Sequence, residues 1–553
     1  MKSYFASHPL ALLGGLLLSA TPLLAQQKPA PRPPARPASG GARAMPGLRQ
    51  SATMPATIPN PVIAGDFPDP SVTKVGDTYW ATATSSNWGP TFPLLKSKNL
   101  VDWQLVTHVF PLARPAWADY YFWAPEIMQD GKKTYVYYTA HKRGGNLAVG
   151  VASADSPEGP YTDHGPLVGQ PNGSIDGFPV LDENNKPYLI WKEDGNSVNK
   201  PTPIWAQEMN AERTALIGPK KELLRNTAPW EGNLIEGPAL VRHEGYFYLF
   251  YAANGCCGNG CAYATGVARS KNLLGPWEKY AQNPILVKND TWTCPGHGTA
   301  IEKDGRWFML HHAYQTNSMA NVGRQGVLSE FTWTKAGWPE FLNQHTTPTG
   351  AVPPLRTARL AIRDEFEGLA LAPTWQWPVE EKPDFMVGGG RLRLQARPGS
   401  GGAALGRATV AAAYTASTTL LSPSALAPGS SAGIAALGDP GNALALTVEA
   451  GKISLVQTKA GRRETLADMP LTGVGSSVQL RYQALAGSLY RFAWSADGEK
   501  WTALPADGKP VSGDFLPPWD RGVRAGVVAR GPSSSAAVFE RFNVSNAPAG
   551  RGK

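Results

Sequence analysis

The sequence predicts an all-β protein in which a five-bladed β-propeller precedes a β-sandwich. Two observations lead to this prediction. Within about the first 310 residues, a short turn followed by an aromatic-rich, strand-like run occurs five times, with little of the periodicity that marks helices. After about residue 350, aromatic residues become sparser and Ala, Gly and Ser alternate with apolar residues. This change favours a second all-β unit.

The five repeats define the expected blades. Their marker residues, each the first aromatic side chain of the strand-like run, lie 56, 53, 58 and 61 positions apart; they are Tyr79, Tyr135, Tyr188, Tyr246 and Trp307. Four strands per blade fit this period, and blades around one axis give every repeat an equivalent position. An irregular all-β sandwich with fortuitous spacing is the alternative. We expect the propeller over residues 58–350 and the sandwich over residues 360–546.

The first 57 residues are expected to lie outside both folded units. Residues 1–25 combine an early Lys, an almost entirely apolar stretch from Pro9 to Leu18 and small residues near Ala25, which is the pattern of a signal peptide. Residues 26–57 are rich in Pro, Ala, Arg and Gly, a composition that predicts a disordered linker. No later apolar run is long enough to span a bilayer. We therefore expect a secreted or periplasmic protein without a membrane span.

Charge and cysteine content narrow the function classes. Six basic residues precede residue 50, where there is no acid, and without them the net charge of +9 falls to about +3. This charge is too small to indicate a nucleic-acid partner. The four cysteines are Cys256, Cys257, Cys261 and Cys294. In an exported protein they favour disulfides, with three connectivities open, over zinc, because an adjacent pair suits tetrahedral ligation poorly.

The repeats also allow residues of different blades to be compared. Asp69, Glu236 and His297 each lie 10 positions before the marker of their blade, and Asp176 lies 12 before its marker. In the remaining blade, the equivalent place is the segment 122–126. The innermost strands of a propeller surround its axis, so we expect the three acids to share one central pocket. Apolar neighbours with Gly or Pro around each acid predict partial burial and a shifted pKa.

A set of short segments within roughly residues 58–345 resembles glycoside hydrolase family 43, the family of five-bladed arabinanases and β-xylosidases. The segments are Asn60-Pro61-Val62, Asp69-Pro70-Ser71, Trp123-Ala124-Pro125-Glu126, Ser174-Ile175-Asp176, Ile235-Glu236-Gly237-Pro238 and Gly296-His297-Gly298. The second unit more loosely resembles the concanavalin-like, jelly-roll sandwich attached to the β-xylosidases of that family. The resemblance implies that Asp69 is the general base, Glu236 the general acid, and Asp176 the residue that orients the acid and raises its proton affinity.

The resemblance also implies binding residues. Arg324 is expected to hydrogen-bond the sugar, with a surface ion pair as the alternative. Trp88 and Trp123 are expected to lie under a sugar ring, with core packing as an equal alternative for Trp88. His297 is expected to help hold a structural calcium ion on the propeller axis, largely through water. A histidine that only forms hydrogen bonds is the alternative, because calcium prefers oxygen ligands. No organic cofactor is implied.

Three acids suit glycoside hydrolysis with inversion. One carboxylate activates water, a carboxylic acid protonates the leaving oxygen, and a third anion helps to keep that acid protonated. The predicted substrate is an arabinose- or xylose-containing plant cell-wall polysaccharide or oligosaccharide. The sandwich favours a β-xylosidase or α-L-arabinofuranosidase, whereas the Gly-His-Gly and cysteine segments resemble arabinan-active relatives. The alternatives are a non-catalytic glycan-binding propeller and a related enzyme that cleaves fructosides with retention.

Overall fold

The computed structural model describes residues 51–55, 57–258, 260–342, 361–485 and 488–546, with backbone only for 319–320. The predicted signal peptide and most of the predicted linker lie outside these ranges. Nearly all regular elements are strands, which confirms the predicted fold class. Within the described part of the chain, none of the helices has the length and apolar character needed to cross a membrane.

Five four-stranded antiparallel sheets form the propeller, one for each sequence repeat. The propeller strands are β1 (Ser71–Val75), β2 (Thr78–Thr82), β3 (Trp88–Gly89), β4 (Thr91–Ser97), β5 (Gln104–Phe110), β6 (Trp123–Asp130), β7 (Lys133–His141), β8 (Leu147–Ala154), β9 (Thr162–Val168), β10 (Ser174–Leu181), β11 (Pro187–Glu193), β12 (Ile204–Met209), β13 (Leu216–Leu224), β14 (Ile235–His243), β15 (Tyr246–Ala253), β16 (Ala264–Ser270), β17 (Glu278–Lys279), β18 (Trp292–Lys303), β19 (Arg306–Gln315), β20 (Gln325–Trp333) and β21 (Pro339–Phe341). The blades are β1-β2-β4-β5, β6 to β9, β10 to β13, β14 to β17 and β18 to β21. The short β3 pairs outside its blade.

The first strand of each blade lies at the propeller axis. These strands, β1, β6, β10, β14 and β18, contact one another in a closed ring. Each marker residue of the sequence repeat lies in the second strand of its blade, because the repeated turn joins the first two strands. Asn60 and Ile63 bind the backbone of β20 in the last blade. This pairing joins the start of the propeller to its end.

The second domain consists of two packed antiparallel sheets. Its strands are β22 (Ile362–Asp364), β23 (Trp377–Pro378), β24 (Phe385–Gly388), β25 (Arg391–Gln395), β26 (Ala403–Ala408), β27 (Tyr414–Leu421), β28 (Ser431–Asp439), β29 (Asn442–Glu449), β30 (Lys452–Lys459), β31 (Arg462–Pro470), β32 (Ser477–Leu485), β33 (Leu489–Ser495), β34 (Thr502–Leu504), β35 (Val511–Ser512), β36 (Arg524–Arg530) and β37 (Ala536–Asn546). One sheet has the strand order β24-β25-β37-β27-β32-β33-β34, and in addition β22 pairs with β37 and β35 with β33. The other sheet has the order β26-β36-β28-β29-β30-β31. Alternating burial along β32 and β33 shows that the first of these sheets turns one face to the core, which also contains residues of the second sheet such as Leu444 and Leu455.

Helices are short and lie in loops. They are α1 (Met319–Val322) and the 3-10 turns Gly195–Val198, Pro229–Glu231 and Pro423–Ala425.

The sandwich packs directly on the first blade. Strand β3 pairs with β23 of the sandwich, with Gly89 opposite Trp377. Nearby, the Arg524 guanidinium lies 2.7 Å from Oδ2 of Asp66, and both side chains are nearly inaccessible to solvent. Asp66 precedes Asp69 by only three residues. The domain interface therefore reaches the candidate site.

The four cysteines form two disulfides, as the sequence favoured. One bond joins the adjacent pair Cys256 and Cys257, and the other joins Cys261 to Cys294. Three of these residues belong to the loop between β15 and β16, whereas Cys294 lies in β18. The second disulfide therefore links the fourth blade to the fifth.

Candidate active site

The backbone of the innermost strands is irregular at the candidate residues, and this irregularity sets the direction of their side chains. The register between β10 and β11 shifts after Ile175, and the register between β14 and β15 shifts after Glu236. A bulge turns side chains away from the regular alternation of a strand. Left-handed backbone angles recur at or just before the innermost strand of every blade, at Asp69 (φ 51°), Ala124 (41°), Asp176 (60°), Gly237 (58°) and His297 (44°). Such angles are costly for most residues and mark places where the surrounding structure imposes the conformation.

Asp69 is a buried carboxylate held by hydrogen-bond donors and positive charge. Thr84 donates to its Oδ2 at 2.6 Å, and Nη1 of Arg324 donates to its Oδ1 at 2.8 Å. Burial acts to raise the pKa of Asp69, but the charges of Arg324 and His297 outweigh burial and hold the pKa well below its usual value. Asp69 is therefore ionised in the neutral and mildly acidic range.

His312 supports Asp69 through the backbone. The N–H of Asp69 donates to Nδ1 of His312 at 3.1 Å, so Nδ1 is the unprotonated nitrogen of the ring. Burial lowers the pKa of His312 to about 3, which keeps the ring neutral. Nδ1 also lies 3.1 Å from Oδ1 of Asp69, but a nitrogen that accepts the backbone N–H cannot donate to the carboxylate. His312 thus orients Asp69 without adding positive charge.

Asp176 is tied to the strand that carries Glu236. Its N–H donates to Oγ1 of Thr139 at 3.0 Å, and its Oδ2 accepts the N–H of Gly237 at 2.9 Å. Burial raises the pKa of Asp176 to about 6; His297 opposes this rise, and the nearby charge of Glu236 adds to it. Asp176 is therefore the acid of this pair that binds a proton more readily.

Two donors hold Glu236. Nζ of Lys192 lies 2.8 Å from Oε2, and the hydroxyl of Tyr263 donates to Oε1 at 2.8 Å. Lys192 is 1% exposed and also lies 2.8 Å from Oδ1 of Asp194. Burial acts to raise the pKa of Glu236, but Lys192, together with Tyr263 and His297, outweighs burial and lowers it.

The proton distribution in this structure differs from the sequence-based expectation. The sequence predicts that Asp176 holds a proton on Glu236 by repulsion between like charges. In the structure, the pKa of Asp176 is raised whereas that of Glu236 is lowered. The physical reason is the buried ammonium of Lys192, which contacts Glu236 directly.

His297 lies among all three acids. Its Nδ1 is 3.6 Å from Oδ1 of Asp69, and its charge favours the ionised form of Asp69, Asp176 and Glu236 alike. Among the residues that the structure describes, no three His, Cys, Asp or Glu side chains are placed to ligate one metal ion. Calcium bound through water stays a prediction.

Arg324 connects Asp69 to the sandwich. It is 4% exposed, so the alternative of a surface ion pair is wrong. Besides contacting Asp69, it donates through Nη2 to the backbone oxygen of Asp520 at 3.1 Å. Asp520 belongs to residues 517–523, here called the sandwich loop, and its carboxylate accepts a hydrogen bond from Ser86 at 2.5 Å. Nε of Arg324 is buried without a hydrogen-bond partner in the described part of the chain.

The two tryptophans predicted to bind sugar have different surroundings. Trp123 is partly buried, and its ring meets Trp519 of the sandwich loop at 5.8 Å and an interplanar angle of 86°. Trp519 is 54% exposed, so this aromatic pair reaches solvent beside the site. Trp88 is 2% exposed and packs among apolar residues of the sandwich. For Trp88, burial of the indole in the domain interface supports the core-packing alternative over a place under a sugar ring.

The second blade contributes a neutral acid. Glu126, in the segment that sequence comparison aligned with the other acids, accepts a hydrogen bond from Oγ1 of Thr299 at 3.2 Å. Burial raises the pKa of Glu126 to about 8, so it stays largely protonated at neutral pH. Glu126 thus differs from Asp69, whose carboxylate is ionised in the same pH range.

Several residues at the site were missed by sequence reasoning, namely Lys192, Tyr263, His312 and Asp520. A signal existed for Lys192, which follows directly on the apolar run Tyr188–Trp191 of a predicted strand. Asp520 offered no such signal, because it lies in the other domain and reaches the site only through the folded interface.

Comparison with known proteins identifies the family. Residues 58–339 match the model of glycosyl hydrolases family 43, and residues 363–545 match the beta xylosidase C-terminal concanavalin A-like domain. The propeller and the sandwich therefore each have a known counterpart.

Two curated relatives and one solved structure illustrate the similarity. The chain is 31% identical over 387 residues to a xylan 1,3-beta-xylosidase of Vibrio sp, an alignment that covers 63% of this chain and 68% of the relative. It is 28% identical over 329 residues to xylosidase/arabinosidase 43B of Humicola insolens, covering 56% and 58% of the two chains. A variant of the GH43 protein BlXynB from Bacillus licheniformis has the same fold, with a TM-score of 0.74, 24% identity and coverage of 88% and 99%. The chain belongs to glycosyl hydrolases family 43 and is a glycoside hydrolase.

Proposed function

We propose that this enzyme releases single xylosyl or arabinofuranosyl residues from plant oligosaccharides with inversion of the anomeric carbon. The observation that carries the proposal is the contrast between two buried carboxyl groups of one site. Asp69 is held by the guanidinium of Arg324, whereas Glu236 lies in a network with Asp176, Lys192 and Tyr263. Inverting hydrolysis needs such a pair, with one group ionised and the other able to give up a proton.

Asp69 is suited to activate water. Its pKa lies well below the usual value, so it is ionised when substrate binds. Arg324 and Thr84 occupy only part of the hydrogen-bonding capacity of a carboxylate, which has about four acceptor positions. A water molecule that donates to Asp69 would then attack the anomeric carbon while Asp69 removes its proton.

Glu236 is suited to protonate the leaving oxygen. Gly237 lies next to it in the chain, and its N–H binds Asp176. The carboxyl group of Glu236 is thereby positioned by its own strand as well as by Lys192 and Tyr263. In the proposed mechanism, Asp176 orients the acid by holding the N–H of Gly237, the residue that follows Glu236 in the strand.

The sandwich loop supports exo action on small substrates. Asp520 binds Ser86 and Arg324, and Trp519 meets Trp123. The loop thus extends over one side of the site, which suits the end of a sugar chain better than a through-going groove. The names of the relatives, a xylan 1,3-beta-xylosidase and a xylosidase/arabinosidase, support pentosides as the substrate class.

We also propose that the enzyme acts outside the cytoplasm. The predicted signal peptide and the two disulfides support this location, because disulfides persist in oxidising compartments. Mass spectrometry of protein exported by a bacterial host should show cleavage near residue 25. An uncleaved, cell-retained chain would contradict the proposal.

The function is tested by substrate profiling and by one substitution. Purified enzyme should hydrolyse xylo-oligosaccharides or arabino-oligosaccharides, and proton NMR should show the inverted anomer first. Glu236→Gln should lose about 10²- to 10⁴-fold in kcat/KM on these unactivated substrates, because the general acid is gone. Glu278→Gln, an exposed acid in the same blade that pairs with Arg269, is the control and should keep wild-type activity. Retained activity in Glu236→Gln, or a retained anomeric configuration, would contradict the mechanism.

A further inference from the structure

A buried lysine contacts the candidate acid, and the chemistry above assigns it no step. Lys192 lies near the end of β11, with Nζ at 2.8 Å from both Oδ1 of Asp194 and Oε2 of Glu236. Its side chain is 1% exposed, and those of its partners are 13% and 12% exposed. Burying an ammonium is costly even when it is paired, and replacing buried ion pairs with apolar residues is often neutral or stabilising. Stability alone therefore gives no reason for a lysine at this position.

The two oxygens of Glu236 face different chemistry. Oε2 faces the ammonium of Lys192, which has only donors. Oε1 faces the hydroxyl of Tyr263 at 2.8 Å, and a hydroxyl can either donate or accept. Burial keeps the pKa of Tyr263 well above its usual value, so the hydroxyl remains protonated. A proton on Oε2 would point at the hydrogens of Lys192, whereas a proton on Oε1 meets a group that can accept it.

We propose that Lys192 is a positioning residue for the general acid: it holds Oε2 of Glu236, so that the proton given to the leaving oxygen is carried on Oε1. The proposal rests on the proposed role of Glu236. During the step, the proton passes from Oε1 to the leaving oxygen as the glycosidic bond breaks, and Lys192 pairs with the carboxylate that remains. Asp194 anchors the ammonium and takes up part of its charge.

The titratable groups around Glu236 belong to four segments of the chain. Lys192 and Asp194 approach from the β11 side, Asp176 from β10, Tyr263 from the segment before β16, and His297 from β18. Lys192 makes Glu236 a stronger acid, because it favours the carboxylate that proton donation leaves behind. Asp194 weakens this effect by sharing the ammonium. Loss of the lysine and loss of its counterion should therefore act on Glu236 in opposite directions.

The test compares Lys192→Met, Lys192→Arg and Asp194→Asn with the wild type on two substrates. Xylobiose, or an arabinobiose if the wild type prefers it, needs the acid, whereas the matching 2,4-dinitrophenyl pentoside has a leaving group that hardly needs protonation. In Lys192→Met, kcat/KM should fall about 10²-fold on the disaccharide, because a displaced catalytic group costs about this factor. The fall on the dinitrophenyl substrate should be much smaller. Lys192→Arg should recover part of the disaccharide activity.

The pH profile supplies the second readout. The general acid must be protonated, so activity falls as pH rises through its pKa. Lys192→Met should move this alkaline limb to higher pH, and Asp194→Asn should move it to lower pH, each by about 1 unit. Thermal melting shows which variants fold. If Lys192→Met does not fold, the pH profile of Asp194→Asn still tests the proposal.

Two results would overturn the positioning role. The first is an equal loss of kcat/KM on both substrates in folded Lys192→Met. The second is that the alkaline limbs of Lys192→Met and Asp194→Asn move in the same direction or do not move. Either result leaves the proposed function intact while the wild type still cleaves the disaccharide with inversion. A wild type that cleaves neither substrate would instead contradict the proposed function itself.

Discussion

Asp69 is buried and Glu236 is 12% exposed; the pKa of each carboxyl group is lowered, but by a different cation. Asp69 is paired with Arg324, whose guanidinium remains charged at all pH values relevant to proteins. Glu236 is paired with Lys192, which divides its hydrogen bonds between two carboxylates. Asp69 therefore receives two side-chain hydrogen-bond donors, one of them a guanidinium, whereas Glu236 shares its ammonium with Asp194. This difference in partners supports assigning the base to Asp69 and the acid to Glu236.

The pairing of Asp69 with Arg324 predicts a pH effect. A general base acts only when ionised, so activity is present above its pKa and is lost as pH falls through it. Because Arg324 provides the largest lowering effect on the pKa of Asp69, Arg324→Met should raise that pKa. The acidic limb of kcat/KM should then move to higher pH by about 1 to 3 units.

The control for this substitution is Arg306→Met. Arg306 also pairs with an acid, Glu330, but its side chain is 47% exposed and it lies at the start of β19, directly after the turn that follows the innermost strand. Its pH profile should match that of the wild type. An unmoved acidic limb in folded Arg324→Met would show that Asp69 is not the group whose protonation ends activity.

At the scale of the element, the innermost strands were predictable but their bulges were not. The aromatic markers locate the turn between the first two strands of each blade, and this was enough to bring Asp69, Asp176 and Glu236 together from sequence. The left-handed angles at Asp69, Asp176 and His297 had no such signal, because even Asp and His, which are enriched at positive φ, adopt it at only a small fraction of positions. Gly237 is the exception, since glycine is the residue expected at a positive φ.

From the bulge in β14, we expect Gly237→Ala to lower activity. A Cβ at this residue would lie 2.8 Å from Cγ of His297, closer than real Cβ contacts, so the imidazole or the strand must move. Since His297 lies among the three acids and Glu236 precedes Gly237, kcat/KM should fall about 10²-fold, a loss typical of a catalytic group displaced by about 1 Å. Steady-state kinetics on the preferred oligosaccharide measure this loss.

Gly245→Ala separates this contact from backbone strain. Gly245 lies in the turn after the same strand and also has a positive φ, 81°, but a Cβ there meets no atom within 4 Å. Both substitutions should destabilise the fold by about 1 to 2 kcal/mol, the cost of a left-handed angle for a side chain. Only Gly237→Ala should lose activity. Equal activity of the two variants would show that the close approach to His297 has no role.

At the scale of the whole molecule, the sequence predicted two domains. It did not predict that residues of both domains meet at the candidate site. Family resemblance identified Asp69 and Arg324, yet nothing in the pattern of either domain indicated that Asp520 binds Arg324 or that Trp88 is buried against the sandwich. Such contacts depend on how the two folded domains pack against each other. The sequence periodicity within each domain does not indicate this packing. The sugar-binding role expected for Trp88 therefore failed at the domain interface, where the sequence pattern of one domain carries no information about the other.

The interface predicts that the two domains stabilise each other through one buried ion pair. Arg524 lies 2.7 Å from Asp66, donates to Gln376 and packs over the Trp88 ring. Arg524→Met should lower the free energy of unfolding by about 3 to 5 kcal/mol, because it leaves Asp66 buried without its cation.

Chemical denaturation followed by tryptophan fluorescence measures this loss, and Arg541→Met provides the comparison. Arg541 pairs with Glu540 at the surface and is 47% exposed, so its removal should cost less than about 1 kcal/mol. Activity of Arg524→Met should also fall, because Asp66 lies in the segment that carries Asp69 and accepts the N–H of Gly522 in the sandwich loop. Equal stability of the two variants would mean that the Asp66–Arg524 pair does not hold the domains together, and the loop would then need another anchor to stay beside the site.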